Sequence, residues 1–170
     1  TKTVPSDDAF TVENIADWMA FIPGTDEADI RALVYESSPE NLQRLLDGCN
    51  KAEEVVGLTP SGKAEDWVCR TKNAAVPEYL LFAKECEAWR GVAAVRATVD
   101  EVWTYRKTDA EEGLRLAVLA ERRMLAAPSE FLRLRYAFQA LRLYHGLRFY
   151  DRAVALFRGQ VEGADAQAVA

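Results

Sequence analysis

Apolar residues recur every three or four positions along most of the chain, the spacing that places them on one face of an α-helix. The first two such stretches cover residues 10–22 and 25–37. A third begins after Ser38, whose hydroxyl suits the capping position of a helix. The pattern leaves open whether this third helix ends at Gly48 or continues to Gly57.

The middle of the chain is less regular. Residues 57–76 carry turn-forming glycine, proline and asparagine around a short amphipathic piece near Trp67, which predicts a packed loop. Helical spacing resumes at Pro77, and Gly91 predicts a break before a further helix that ends near residue 106.

The second half of the chain has clearer helix starts. Thr108 and Glu111 have the spacing of a capping box, and Ser129 suits the cap of a helix that is apolar around most of its girth. A last amphipathic stripe covers residues 150–161, and residues 163–170 are predicted to be a small-residue tail. Sustained alternation of apolar and polar residues, typical of strands, is absent from the sequence. We therefore predict an all-α fold of antiparallel helical hairpins, stacked into a bundle or a short α-solenoid.

Length and composition fit one globular domain. The chain has 170 residues, of which 49% are hydrophobic and 28% charged. These proportions are ordinary for a folded domain, and no apolar run approaches the roughly 20 residues that a membrane-spanning helix needs. We predict a single all-helical domain over residues 1–170 without a membrane span.

Charge is distributed unevenly between the two halves. Residues 1–85 contain 8 basic and 16 acidic residues, whereas residues 86–170 contain 13 basic and 11 acidic residues. Residues 115–158 hold nine arginines, three acids and no lysine. Two interpretations stay open: the arginines pair with the acidic half, or they form a surface for a partner. The candidate partner-binding residues are Arg115, Arg122, Arg133, Arg135 and Arg142. The acidic total, with a sequence pI near 5.0, argues against nucleic acid as the partner.

Three cysteines and one histidine give little support for a metal site. Cys49, Cys69 and Cys86 lack CxxC spacing, so a tetrahedral zinc site would need all three together with His145. We predict no metal and no other cofactor. Buried free thiols at Cys49 and Cys86 are the common case, and a disulfide that includes Cys69 is open if the protein is exported.

The string at residues 57–63, GLTPSGK, matches most of a phosphate-binding loop in its letters. Ala64 stands where such a loop needs a Ser or Thr hydroxyl for magnesium, and no strand is predicted before it. We expect Gly57 to end a helix before a proline turn, and we expect no nucleotide to bind here.

Residues 131–162 resemble a tetratricopeptide helical hairpin. Three positions near and in its second helix carry the resemblance: Tyr150, Ala153 and Phe157. Tyr144 matches the aromatic of the first helix, whereas Leu141 and Gln160 stand where the family prefers small residues. The resemblance implies that the rings of Tyr150 and Phe157 are interior and that Ala153 is the closest approach of the last two helices.

The longer run of residues 77–157 is similar to uncharacterised bacterial proteins with tetratricopeptide-like helices. That resemblance implies export to the bacterial periplasm or cell envelope, and it supplies no catalytic residue. We predict a protein-interaction or scaffold domain whose partner is another protein, further helical repeats or a second copy of the chain. The alternative is an enzyme with a cleft between helices, with Asp or Glu as acid and base and with His145 or Tyr144 assisting.

Overall fold

A computed structural model of the chain describes residues 9–51, 53–99 and 107–168, and its regular elements in these ranges are all helical. In chain order they are α1 (Ala9–Phe21), α2 (Glu27–Ile30), a π-helix (Arg31–Glu36), α3 (Pro39–Lys51), α4 (Lys63–Arg70), α5 (Ala75–Val99), α6 (Lys107–Ala126), α7 (Glu130–Gly146) and α8 (Tyr150–Ala168). The all-α prediction is therefore confirmed.

The chain divides into two compact units, which we call unit 1 (residues 1–81) and unit 2 (residues 82–170). Unit 1 contains α1 to α4 and the start of α5. Unit 2 contains the rest of α5 and α6 to α8. A single domain over residues 1–170 stays a prediction.

The core of unit 1 is built on the side chain of Trp18, which is fully buried. Its ring centroid lies 6.0 Å from that of Tyr79 and 6.1 Å from that of Phe21. Aliphatic side chains from the surrounding helices complete this core: Ile15, Ile22, Ile30, Leu33, Leu42, Leu45 and Val68. Except for Ile22, which follows α1, each lies on the apolar stripe of its helix. Residues 57–76 were predicted to be a packed loop, but Lys63–Arg70 form α4, whose Ala64 and Val68 lie four positions apart on one buried face.

Two helix starts in unit 1 follow from local capping chemistry. The Ser38 hydroxyl accepts a hydrogen bond from the Asn41 N–H at 3.2 Å, as predicted for the start of α3. Helix α2 is capped by Asp26, whose carboxylate accepts from the Asp29 N–H. The hydroxyl of the neighbouring Thr25 donates to the carbonyl of Ile22 at 2.7 Å, so it does not cap α2.

The structure corrects several predicted boundaries. Helix α3 ends at Lys51, between the two alternatives, and Gly57 follows non-helical residues, so it does not end a helix. Helix α5 begins at Ala75, two residues before Pro77. Proline is tolerated there because the N–H groups of the first turn have no acceptor within the helix, so the N–H that proline lacks is not needed. The chain is already helical at Lys107, so Thr108 lies inside α6.

Glycine is tolerated in two places where a break or a tail was predicted. Helix α5 continues through Gly91, since one glycine in a helix interior costs only about 1 kcal/mol relative to alanine. Helix α8 continues past Gly163 to Ala168, so the predicted tail is helical there. The predicted helix end near residue 106 lies outside the described residues.

In unit 2, α6 packs against α7, and α7 packs against α8. Helices α5 and α6 also come close together, at Gly113. A Cβ atom built on this buried glycine would lie 2.3 Å from Cζ2 of Trp89. The Trp89 indole N–H also donates to the carbonyl of Asp109 at 2.7 Å, which fixes the ring against the start of α6. Gly113, which the sequence pattern did not single out, therefore allows these helices to meet.

We expect Gly113→Ala to lower the free energy of unfolding by about 1–3 kcal/mol, because Trp89 would have to move from a packed site. Gly91→Ala is the matched control, since Gly91 is helical, exposed and has no atom within 4 Å of a built Cβ. That change should raise stability by about 0.5–1 kcal/mol. Urea unfolding of both variants checks the pair, and equal effects would contradict the packing described here.

Candidate functional site

Helix α7 exposes part of an apolar face. Its start is fixed by Ser129, whose hydroxyl accepts from the Leu132 N–H as predicted. One side of the helix is buried: Leu132, Tyr136, Ala137, Gln139, Ala140, Leu143 and Tyr144. The opposite side, which we call the outer face of α7, is half-buried or exposed: Phe131, Leu134, Arg135, Phe138, Leu141 and Arg142. Leu134 is 48% exposed and Phe138 is 37% exposed.

Arginine and phenylalanine alternate along this outer face. The guanidinium carbon of Arg135 lies 4.5 Å from the ring centroid of Phe131, and that of Arg142 lies 5.3 Å from the ring centroid of Phe138. Each pair is four residues apart, the spacing at which side chains meet on a helix surface. Seven residues separate the two pairs, so they lie on the same face one above the other. The result is a row of two cation–π pairs.

Helix α8 carries a second exposed apolar stripe, which contradicts the interior position predicted for its rings. Tyr150 is 52% exposed and Phe157 is 58% exposed, with Val154 between them also exposed. Ala153, predicted to be the closest helix approach, is half-buried, as is Leu156. The spacing of Tyr150 and Phe157 correctly places both on one face, but it does not determine which face contacts α7. The tetratricopeptide resemblance itself stays a prediction.

The two apolar surfaces meet at the turn between α7 and α8. The rings of His145 and Tyr150 are in edge-on contact, with centroids 5.6 Å apart. His145 lies in the last turn of α7. We call the outer face of α7, His145, and the exposed α8 residues Tyr150, Val154 and Phe157 the outer strip.

Two of the five candidate arginines are held in ion pairs within unit 2. Arg115 donates to Glu112 at 2.7 Å and to Glu85 at 2.6 Å. Arg133 donates to Glu130, with Nε 2.8 Å from Oε2. These hydrogen bonds lower the pKa of Glu112 and of Glu130 below the ordinary glutamate value. Much of the positive charge of Arg115 and Arg133 is thus balanced by neighbouring carboxylates.

The five candidates therefore do not form one groove. Only Arg135 and Arg142 share a face, whereas Arg133 is two residues from Arg135 and points to another side of α7. Arg122 is exposed on α6. Pairing with the acidic half explains only part of the pattern. Glu85 of the acidic half pairs with Arg115, whereas Arg133 pairs with Glu130 of the second half. The signal in the sequence that could have singled out Arg135 and Arg142 is the phenylalanine four residues before each of them, which a count of charges does not consider.

In unit 1, the string that resembles a phosphate-binding loop is held by two buried carboxylates. Glu65 accepts from the N–H groups of Leu58 and Thr59 at 3.0 and 3.1 Å, and from the Thr59 hydroxyl at 2.5 Å. Asp29 accepts from the Ser61 N–H at 2.9 Å and from its hydroxyl at 2.5 Å. We call these five hydrogen bonds the loop clasp.

The loop clasp gives a structural reason against phosphate binding. The backbone N–H groups of Leu58, Thr59 and Ser61 already donate to carboxylates of the chain itself, so they are not directed at a ligand. Gly57 and Gly62 have φ values of 80° and 74°, in the left-handed region that glycine adopts without strain. That nucleotide does not bind stays a prediction.

The clasp also shifts the titration of Asp29. Burial by itself would raise the pKa of this carboxyl, but hydrogen bonds from the side chain and backbone of Ser61 and from the backbone of Asp26 outweigh it. The pKa of Asp29 is therefore below its usual value. Asp29 and Glu65 are buried and fully engaged inside unit 1, which indicates a structural role for both.

An open depression of about 630 Å³ lies on the surface of unit 1. It is lined by Glu53, Glu54, Val55, Val56, Gly62, Asp66, Cys69, Arg70 and Lys72. The acids in this lining, Glu53, Glu54 and Asp66, are exposed, and neither of the buried carboxylates of the loop clasp lines the depression. Within the described ranges there is no cluster of three or more His, Cys, Asp or Glu side chains that could hold a metal ion.

None of the described helices combines the length and the apolar composition that a membrane-spanning segment needs. Compared with protein-family models, with curated proteins and with solved structures, the chain matches none of them. Function therefore has to be argued from the geometry of the chain itself.

We expect the stability of the protein to fall as the pH drops below about 4, in part because of Asp29. Its folded pKa is lowered, so its contribution is present above the unfolded pKa of 3.8 and is lost as the pH falls through the folded value. Asp29→Asn should cost about 2–3 kcal/mol near pH 7, since an amide cannot accept at both positions, and it should weaken the acid dependence.

Urea unfolding near pH 7 and near pH 3 measures both effects. Glu27→Gln is the control, because Glu27 is an exposed acid on the same short helix and is paired with Arg31 at 2.7 Å. An Asp29→Asn variant with wild-type stability at neutral pH would show that the clasp does not stabilise the fold.

Proposed function

We propose that unit 2 is a protein-interaction module that binds an acidic amphipathic helix of a partner protein along the outer strip. The observation that carries this proposal is the row of two phenylalanine–arginine pairs on the outer face of α7, in which Phe138 is exposed and the other three side chains are half-buried. No catalytic residue is assigned.

The chemistry of the outer strip suits a protein partner. Aromatic residues and arginine are enriched at the centres of protein interfaces, where large rings bury apolar area and the guanidinium makes planar contacts. Phe131 and Phe138 stack with Arg135 and Arg142, so these flexible side chains are already partly ordered before a partner binds. That ordering reduces the entropy lost on binding.

Charge complementarity argues that the partner is acidic. Residues 115–158 contain nine arginines and three acids, and the acids Glu121 and Glu130 are paired with arginines. The outer face of α7 includes Arg135 and Arg142 but no carboxylate. A basic partner would meet like charge there, whereas carboxylates could form bidentate hydrogen bonds with the guanidinium groups.

The shape of the surface argues for a helical segment. Leu134, Phe138 and Leu141 follow the three- and four-residue spacing along α7, and an amphipathic helix presents apolar anchors at the same spacing. The scaffold role predicted from the tetratricopeptide resemblance is compatible with this mode, because helical repeats bind segments of other proteins along their helices.

A synthetic peptide tests the proposal. The probe carries leucines at helical spacing flanked by glutamates, is fluorescently labelled, and is titrated with the protein while its anisotropy is recorded. Phe138→Ala and Arg142→Glu should each weaken binding about tenfold or more, because a central anchor typically contributes more than 1 kcal/mol.

Arg122→Glu is the matched control, since it makes the same charge change at an exposed arginine of α6 that is not one of the residues of the outer strip. It should bind the peptide within about twofold of wild type, allowing for long-range charge effects. Equal loss in Arg122→Glu and Arg142→Glu, equal binding of a peptide with lysine in place of glutamate, or occupation of the outer strip by a second copy of the chain would refute the acidic-helix proposal.

A further inference from the structure

Two of the three cysteines lie in contact in unit 1. Cys49 is near the end of α3 and Cys69 is near the end of α4, and their Sγ atoms are 3.4 Å apart. A disulfide bond is about 2.05 Å long, so the sulfur atoms need to approach by only about 1.4 Å. Cys86 lies in unit 2 and is buried.

The backbone around Cys49 fixes this arrangement. The chain turns back over the end of α3, where the Glu53 N–H donates to the carbonyl of Gly48 at 2.9 Å. A Cβ atom on Gly48 would lie 2.2 Å from Cγ2 of Val55, so only glycine leaves room for this reversal. Val55 then lies beside α3, and the position of Cys49 opposite Cys69 follows from the packing of α3 on α4.

The two thiols differ in access. Cys49 is buried, whereas Cys69 is half-buried and lines the open depression of unit 1, between Asp66 and Arg70 in the sequence. A small reagent in the depression can therefore reach Cys69 before Cys49. Burial, followed by the hydrogen bond and the negative charge of Cys69, raises the pKa of the Cys49 thiol to about 12. Cys49 is therefore protonated until it reacts.

We propose that Cys49 and Cys69 form a reversible disulfide, with Cys69 as the attacking thiol and Cys49 as the resolving thiol. A low-molecular-weight disulfide is the oxidant. The proposal does not depend on the partner-binding role of unit 2.

The exchange is balanced in two steps. The Cys69 thiolate attacks one sulfur of the small disulfide, which forms a mixed disulfide and releases one small thiolate. Cys49 gives its proton to the released thiolate and attacks Sγ of Cys69, which forms the Cys49–Cys69 bond and expels the second small thiolate. That thiolate takes up the proton that Cys69 lost to solvent before its attack. Two cysteine thiols are oxidised to one disulfide, and the small disulfide is reduced to two thiols.

The disulfide would secure the loop clasp. Cys49 and Cys69 are 20 positions apart and enclose the segment that contains Thr59, Ser61 and Glu65. Closing this loop covalently removes conformations from the unfolded chain, so the oxidised protein should be more stable than the reduced one.

Peptide mapping tests the proposal on the full chain. The protein is incubated with oxidised glutathione, free thiols are alkylated, and the trypsin digest is analysed without reduction. We expect residues 45–51 linked to residues 64–70, and residues 85–90, which contain Cys86, in the alkylated form. Oxidation should raise the midpoint of thermal unfolding, and dithiothreitol should reverse the increase.

Variants test the order of the steps. Cys49→Ser should accumulate glutathione on Cys69, whereas Cys69→Ser should leave Cys49 unmodified, and Cys86→Ser should behave like the wild type. A wild-type digest with Cys49 alkylated after oxidation, with Cys69 joined to Cys86, or with Cys69 joined between two chains would overturn the proposal.

Discussion

The packing of α7 is the constraint on which the rest of unit 2 depends. This helix is apolar on two opposite sides, and α6 and α8 cover only one of them. The buried side, with Leu132, Tyr136 and Leu143, fixes the rotation of the helix about its axis. That rotation in turn directs Phe138 and Leu134 outward. Exposure of apolar side chains to water is unfavourable, and this exposed face is the physical basis of the binding surface proposed above.

In unit 1, hydrogen bonds hold an irregular segment, residues 57–62, in place between helices. The hydrophobic core of this unit packs α1 to α4, but residues 57–62 have no helix to satisfy their backbone groups. Asp29 and Glu65 supply the acceptors from buried positions. The arrangement stabilises the fold only because every hydrogen bond is made, since a buried carboxylate without partners would be strongly destabilising. The neighbouring Cys49 and Cys69 place a second, covalent restraint within reach of the same segment.

Local chemistry made the helices predictable, and contacts distant in sequence made the site hard to predict. The caps at Ser38 and Ser129 and the stripe spacing act within one or two turns, so the sequence shows them directly. Gly91 and Gly113 look alike in sequence, yet only Gly113 faces the Trp89 ring. Glu85 and Arg115 are 30 positions apart in the sequence and Asp29 and Ser61 are 32 positions apart, so no local pattern indicates either pair. The pairing of Arg135 and Arg142 with rings four residues earlier was visible in the sequence, but the exposure of that face was not, because it depends on which side of α7 its neighbours cover.

Binding of an acidic amphipathic helix to the outer strip, as proposed for unit 2, can be measured residue by residue in a nuclear magnetic resonance titration. Amide chemical shifts of the isotope-labelled chain are followed as the glutamate- and leucine-containing peptide is added. We expect the largest shift changes on α7 between Phe131 and Arg142 and on the first turns of α8, from Tyr150 to Phe157. Shift changes confined to the depression of unit 1, or none at saturating peptide, would contradict it.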